Sequence, residues 1–179
     1  VSLAALIAAQ TATAQEAVFV IGTSEVGAPT YNPIKATMLN TATGLLFDRL
    51  VSQAADLSYH PWLAESWEEA PDGMSWTFKL KQGVTFHNGK TMTAEDVVWS
   101  INIHRAADTK SGAKALLASV TDVKADGGSR VVFELNAPYV DLPQVLTIWN
   151  LIVLPVNSTD FNAGIGTGPF AVKRFAPGQ

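Results

Sequence analysis

Three histidines, sixteen carboxylates and no cysteine make up the chain's stock of side chains for metal or acid–base chemistry. His60, His87 and His104 lie far apart, with no second His three or four residues away and no carboxylate at a helical metal spacing. His60 precedes a proline and His87 precedes the Asn88-Gly89 turn signal, so each histidine reads as structural or solvent-facing. The lack of cysteine excludes disulfides, thiolate catalysis and cysteine-based zinc sites. The serines are scattered and none sits in a G-x-S-x-G elbow. Glu65, Glu68 and Glu69 crowd together, but on a strand the adjacent Glu68 and Glu69 point to opposite faces, which suits a solvated edge. Gly164-Ile165-Gly166-Thr167-Gly168 has the glycine content of a phosphate loop without its G-K-[ST] ending, and Pro169 breaks the Rossmann spacing. It reads as a tight turn whose glycines take positive φ. No catalytic residue, metal ligand or cofactor site is expected.

The elements around these residues are legible from period and punctuation. Trp76, Phe78 and Leu80 alternate with Ser75, Thr77, Lys79 and Lys81, the period of a half-buried strand. Pro71-Asp72-Gly73 predicts a hairpin across residues 65–80. Thr93-Ala94-Glu95-Asp96 opens an apolar-periodic run as a capping box with Asp in place of Glu, predicting a helix over 94–105 with Val97, Val98, Ile101 and Arg105 on one side. Asp126-Gly127-Gly128-Ser129 joins two strands at 120–125 and 130–135. Residues 18–21 read as a first buried strand. Residues 37–51 carry Leu39, Leu46, Phe47 and Leu50 at helical spacing, with Gly44 read as a point of close helix packing. A short helical stretch follows at 113–117, after a small, polar loop at 108–114. Residues 146–155 form a nearly continuous apolar run that includes Trp149 and Asn150. Short strands with a few helices give a mixed α/β (α+β) class.

The first fourteen residues, VSLAALIAAQTATA, are an apolar run ending in the small-x-small form Ala12-Thr13-Ala14. Residues 1–14 are read as the remnant of a signal peptide cleaved before Gln15. The run is too short to span a bilayer, which needs about twenty apolar residues. The remainder keeps all sixteen acidic and twelve basic residues with no basic cluster, which argues against a nucleic-acid partner.

Residues 61–98 carry a denser signal. They read Pro61-Trp62-Leu63-Ala64-Glu65-Ser66-Trp67, then Asp72-Gly73-Met74-Ser75-Trp76-Thr77-Phe78-Lys79-Leu80, then Gly83-Val84-Thr85-Phe86-His87-Asn88-Gly89-Lys90-Thr91-Met92-Thr93-Ala94-Glu95-Asp96-Val97. This closely resembles the signature of the family 5 extracellular solute-binding proteins, which capture peptides, nickel and related solutes for ABC importers. The one departure is Asn88 where the family usually has Asp, and either residue suits a turn before Gly. The resemblance implies a periplasmic binding protein-like two-lobe fold with only the first lobe and its inserted subdomain represented. Residues 15–45 would start lobe I, residues 46–160 would form the inserted subdomain, and residues 161–179 would return to lobe I at the Gly166-Thr167-Gly168-Pro169-Phe170 motif. Trp62, Trp67 and Trp76 lie in the scaffold signature and are expected in the core, with Trp67 and Trp76 as neighbours across the hairpin. Trp149 is expected to face the cleft.

Carried over residue by residue, the resemblance places Thr37, Met38, Leu39 and Asn40, then Gly112, Ala113 and Lys114, along the first-lobe wall of the ligand cleft. Trp149 and Asn150, in the apolar run, are read as further ligand-binding candidates. Asn40 and Lys114 can donate to a carbonyl or carboxylate, and Met38 offers adaptable apolar contact. His104 is kept as a minor nickel ligand. The implied protein is a periplasmic, monomeric substrate-binding component that takes a peptide or other small molecule and passes it to an ABC permease. No cysteine follows the signal to carry a lipid anchor. A ligand-sensing ectodomain of the same fold and a secreted hydrolase are the alternatives, and the second lacks a nucleophile–base signature.

Overall fold

The computed structural model describes residues 30–36 and 41–176, so the expected signal remnant, the strand at 18–21 and the candidate residues 37–40 lie outside the described residues. The central element is a four-stranded antiparallel sheet in the order β3-β4-β6-β5, built from β3 (Ala64–Glu69), β4 (Ser75–Leu80), β5 (Val120–Asp126) and β6 (Arg130–Leu135). Both expected hairpins are present and pair through the register Trp67↔Phe78 and Val123↔Phe133, while Trp76↔Phe133 joins the two hairpins. Trp76, Phe78 and Leu80 are buried, and Phe78 meets Phe133 edge-on with ring centroids 5.3 Å apart. Trp67 is half-buried and stacks on Phe78 at 6.1 Å, whereas the residue paired with Trp76 is Glu69. The two tryptophans are therefore diagonal neighbours on one face, with Phe78 between them. The crowded acids behave as expected: β3 is an edge strand and Glu65, Glu68 and Glu69 are all exposed, which also discourages strand addition by another chain.

Helix α2 (Ala94–Arg105) packs on the β5–β6 half of the sheet. Its start is fixed by Asp96, whose Oδ2 accepts from the Thr93 backbone N–H at 2.8 Å and from the Thr93 hydroxyl at 3.0 Å. Glu95 and Asp96 in the first turn and His104 and Arg105 in the last suit the helix dipole. The buried face is Ala94, Val97, Ser100, Ile101 and His104, one residue off the expected stripe, so Val98 and Arg105 are only half-buried.

Three expectations near the ends of the sheet are corrected. The helical signal at 37–51 yields only α1 (Thr41–Leu46) among the described residues, followed by a small hairpin of β1 (Val51–Gln53) and β2 (Tyr59–Pro61). Gly44 is exposed and a Cβ there would meet no atom within 4 Å, so it marks no close packing. Trp62 is 47% exposed instead of in the core, with its indole N–H donating to Asp48 Oδ1 at 2.7 Å.

The apolar run after α3 (Leu142–Val145) is buried without joining a sheet: residues 151–155 are buried outside any helix or strand. Backbone groups here and at the next residue find partners outside any ladder. Val153 N–H donates to the Asp48 carbonyl at 2.9 Å, Leu154 N–H to Ser100 Oγ at 2.9 Å, and Val156 N–H to Asp96 Oδ1 at 2.8 Å. Such bonds offset the cost of burying backbone donors.

The chain closes on itself where α1 meets residues 164–170. Gly168 N–H donates to the Leu46 carbonyl at 3.0 Å and Phe170 N–H to the Leu45 carbonyl at 3.2 Å. A Cβ on Gly166 would lie 2.1 Å from the Leu46 carbonyl oxygen, and one on Gly168 would lie 2.4 Å from that of Leu45. These two glycines are needed for close approach, and only Gly164 in the motif has the expected positive φ, at 64°. Asp48 ties the junction together by accepting from Thr167 Oγ1 at 2.8 Å with its second carboxylate oxygen. His87 completes it: as the Nε2–H tautomer it donates to the Gly168 carbonyl at 2.8 Å and accepts from Gly166 N–H at 3.2 Å. A small second core of Leu46, Phe47, Ile152 and Leu154, flanked by Tyr31, Trp99, Phe161 and Val172, sits at this junction, separate from the large core of the sheet.

Candidate functional site

The last turn of α2 and the loop after it carry the clearest polar construction. His104 is fully buried, and its Nδ1 lies 2.5 Å from Ser111 Oγ. The same hydroxyl accepts from Ala113 N–H at 3.2 Å, and Lys114 N–H donates to the Ser111 carbonyl at 3.2 Å. With one proton and two lone pairs, the Ser111 hydroxyl can bond Ala113 N–H and Nδ1 together in either histidine tautomer. Burial pushes the His104 pKa down to about 4, and the nearby Asn150 backbone opposes that shift only partly. The imidazole is therefore neutral near pH 7. Nε2 has no partner with hydrogen-bond geometry, and neither has the buried Asn150 Oδ1. The two form an under-satisfied polar spot between the 111–114 loop and the turn at 149–150.

Outside the imidazole the loop borders an open cleft of about 490 Å³, lined by Arg105, Ser111, Gly112 and Lys114 with Leu117 and Val120. Such a volume falls within the range of small-molecule sites. Lys114 is exposed, with Nζ donating to the Ala107 carbonyl at 2.6 Å. Arg105 is half-buried, bonding Asn102 Oδ1 at 2.5 Å and the Val120 carbonyl at 2.8 Å. Burial lowers its pKa, and the Asp122 charge acts in the opposite direction.

The residues singled out from the sequence divide accordingly. Gly112 and Lys114 border the cleft. Ala113 is buried in the core and takes part through its backbone N–H. Trp149 is half-buried and Asn150 buried, neither lining this cleft, although His104 links their turn to the loop. Arg105 and Ser111 were not anticipated as site residues. Ser111 carried a usable signal, because a small hydroxyl beside Gly112 in a polar loop after a helical His is suited to fixing that loop. His104 is structural, and among the described residues no group of three His, Cys, Asp or Glu could hold a metal.

A second cleft of about 440 Å³ runs beside α1 and the β1–β2 hairpin, with Asp48, Arg49, His60 and Trp62 in its lining. An exposed Asp56, Ser58 and His60 cluster lies on that hairpin, with Ser58 Oγ 2.5 Å from Asp56 and 2.7 Å from His60 Nε2. It does not make a nucleophile. The carboxylate bonds the serine instead of the imidazole, so the ring lacks the orienting partner a general base requires.

With the geometry in place, known proteins can be set beside it. Residues 58–179 match the family model described as bacterial extracellular solute-binding proteins, family 5 Middle. A probable peptide ABC transporter periplasmic-binding protein of Sinorhizobium fredii is 27% identical over 94% of this chain and 33% of its own length. The nickel-binding periplasmic protein of Escherichia coli is 30% identical over 74% of the chain and 27% of its own length. Among solved structures, the oligopeptide-binding protein of Bacillus subtilis in complex with a nonapeptide superposes with a TM-score of 0.74 at 26% identity, covering 87% of this chain and 34% of that one. The chain thus spans about a third of the length of the curated relatives it matches. Among the described residues no helix is long and apolar enough to cross a membrane.

Proposed function

We propose a function for this chain from its family: it belongs to the bacterial extracellular solute-binding proteins of family 5. The protein captures a peptide or a related small solute between two lobes and delivers it to an ABC permease. It works in the periplasm as a monomer, without cofactor and without chemistry on its ligand. The observation that carries this reading is the family match over residues 58–179, together with relatives named for binding peptides and nickel. Capture follows from differential affinity, since a ligand shifts an open–closed equilibrium only by binding the closed form better.

Within that scheme residues 15–45 begin the first lobe, 46–160 form an inserted subdomain and 161–179 return to the lobe. One observation supports this division. The backbone at Leu45 and Leu46 is bonded directly to Gly168 and Phe170, so the intervening segment leaves and rejoins at one place. Thr37, Met38, Leu39, Asn40, Gly112, Ala113, Lys114, Trp149 and Asn150 belong to the first-lobe wall of the ligand cleft. The exposure of Gly112 and Lys114 beside an open cleft supports those two, with the buried Ala113 between them contributing its backbone.

The test is to purify the full-length protein from the cell envelope and identify bound small molecules by mass spectrometry. Peptides or small solutes in near-stoichiometric amount are expected, with ligand removal lowering the melting temperature. Turnover of a peptide or ester substrate, or a protein that carries and binds no small molecule, would overturn the reading.

A further inference from the structure

The cleft beside the loop after α2 has a local charge opposite to that of the whole chain. The protein carries a net charge of −4, yet this cleft is lined by two cations, Arg105 and Lys114, and by no carboxylate. Two acids close in sequence to these cations stay out of the lining. Asp122 supports the Arg105 charge without lining the cleft, and it is itself 3.5 Å from Lys124 Nζ. Asp108, in the loop between α2 and Thr109, does not line it either.

Donors remain available on both cations. Lys114 uses one bond to the Ala107 carbonyl, and an ammonium has three protons to give. Arg105 bonds Asn102 and Val120 through its two terminal nitrogens, and a guanidinium carries five donors. Those two bonds hold the guanidinium in place at half-burial, where a charge is only partly solvated and gains more from a counter-ion than one in bulk water. Ser111 adds a hydroxyl held from behind by His104. The rest of the lining, with Leu117, Ala118 and Val120, is apolar. One held cation, Arg105, and one exposed cation, Lys114, over an apolar floor match an organic acid, with a carboxylate at one end and carbon behind it.

We infer that this cleft is the carboxylate-accepting subsite of the protein, with Lys114 and Arg105 receiving the acid group of the ligand. The inference rests on the reading that the 112–114 loop lines the ligand cleft, and it adds the chemical class of the group bound there. The carboxylate could be a peptide C-terminus or that of a free organic acid.

The experiment uses the full-length protein, with amide resonances of the 111–115 loop followed by NMR during titration. The probes are trialanine, trialanine C-terminal amide and succinate. Trialanine, succinate or both should move the loop resonances, and the amide should bind about fivefold or more weakly than trialanine, the factor expected for one partly exposed ion pair. Lys114→Gln should reduce the preference for acid over amide without changing the melting temperature, because Lys114 is exposed. Arg105→Lys keeps the charge but loses the fixed fork and should reduce the same preference. Trialanine stronger than succinate identifies a peptide terminus, and the reverse identifies a free acid. Loop shifts with equal binding of acid and amide would overturn the carboxylate assignment while leaving the site in place. Saturable binding of any probe with no shift at 111–115 would overturn the site itself, and no saturable binding by any probe would overturn the carboxylate assignment.

Discussion

Asp96 offers a sharp test of what holds this fold together. Its carboxylate is fully buried and accepts from the Lys90 ammonium, from the Thr93 N–H and hydroxyl, and from the Val156 N–H. Asp96→Ala would remove the helix cap, take the acceptor from the half-buried Val156 N–H and leave Lys90 without its partner. Loss of a cap costs about 1 kcal/mol, and losing the acceptor of a half-buried donor adds about 1 kcal/mol. With about 1 kcal/mol for an ion pair whose lysine is partly exposed, the expected total is about 3 kcal/mol. Asp96→Asn retains an acceptor oxygen but not the charge, and should cost about half as much. The carboxylate also has a pH signature. Burial pushes its pKa up, but hydrogen bonds from Lys90, Val156 and Thr93 outweigh that and leave it below the usual carboxylate value. Its contribution is therefore full above the unfolded pKa of about 4 and is lost as pH falls through the lower folded value. Urea denaturation of the full-length protein, read by tryptophan fluorescence at pH 7 and at pH 3, measures both effects. A cost for Asp96→Ala below about 1 kcal/mol at pH 7 would refute the reasoning.

Four further outcomes follow from named contacts. The His104 pKa is lowered from 6.5 to about 4, so the unfolded chain binds the extra proton between those values: stability is complete above 6.5 and falls by about 3 kcal/mol as pH drops to about 4. His104→Leu should flatten that slope, and a slope unchanged in denaturation curves from pH 7 to 4 would contradict the burial. Gly166→Ala forces a Cβ to within 2.1 Å of the Leu46 carbonyl. It should cost about 3 kcal/mol and expose residues 155–170 to limited proteolysis, whereas a wild-type digestion pattern would exclude the tight junction. Trp76→Ala, in the core with its indole N–H on the Tyr139 carbonyl, should cost about 3–5 kcal/mol. By contrast, Trp62→Phe should cost about 1 kcal/mol or less by thermal denaturation, because only one exposed hydrogen bond is lost.

What could be read from the sequence was what local chemistry determines. The Asp72-Gly73 and Gly127-Gly128 turns announce both hairpins, and Thr93 with Asp96 announces α2, because turn and cap preferences act over a few residues. The tryptophans were harder. Trp76 alternates with polar neighbours and is buried, whereas Trp62 sits in the same motif and is exposed, since its partner Asp48 is fourteen residues away. The 151–155 run showed that it is buried but not how, because its backbone donors end on Asp48, Ser100 and Asp96, far off in sequence. The glycines of 164–168 were legible as necessary but not for the right reason, since crowding against α1 is a tertiary fact. At the candidate site Gly112 and Lys114 came from resemblance. The His104–Ser111 contact behind them joins a helix end to a loop, and no periodicity reports such a pairing.

The junction where Leu46 touches Gly168 also has a kinetic meaning. Thr167 and Asp48 are 119 residues apart, and bringing the ends of an unstructured loop of that length together costs on the order of 4 kcal/mol in chain entropy. Closing it first would be slow. The two hairpins and α2 can form from nearby contacts, and once they pack, their core takes in Leu50, Val51 and Ile165, so little closure entropy remains. Synthesis runs in the same direction, because every strand of the sheet leaves the ribosome before Gly166 does. The junction is then expected to close last in this region, a clasp that shuts on a sheet and helix already packed.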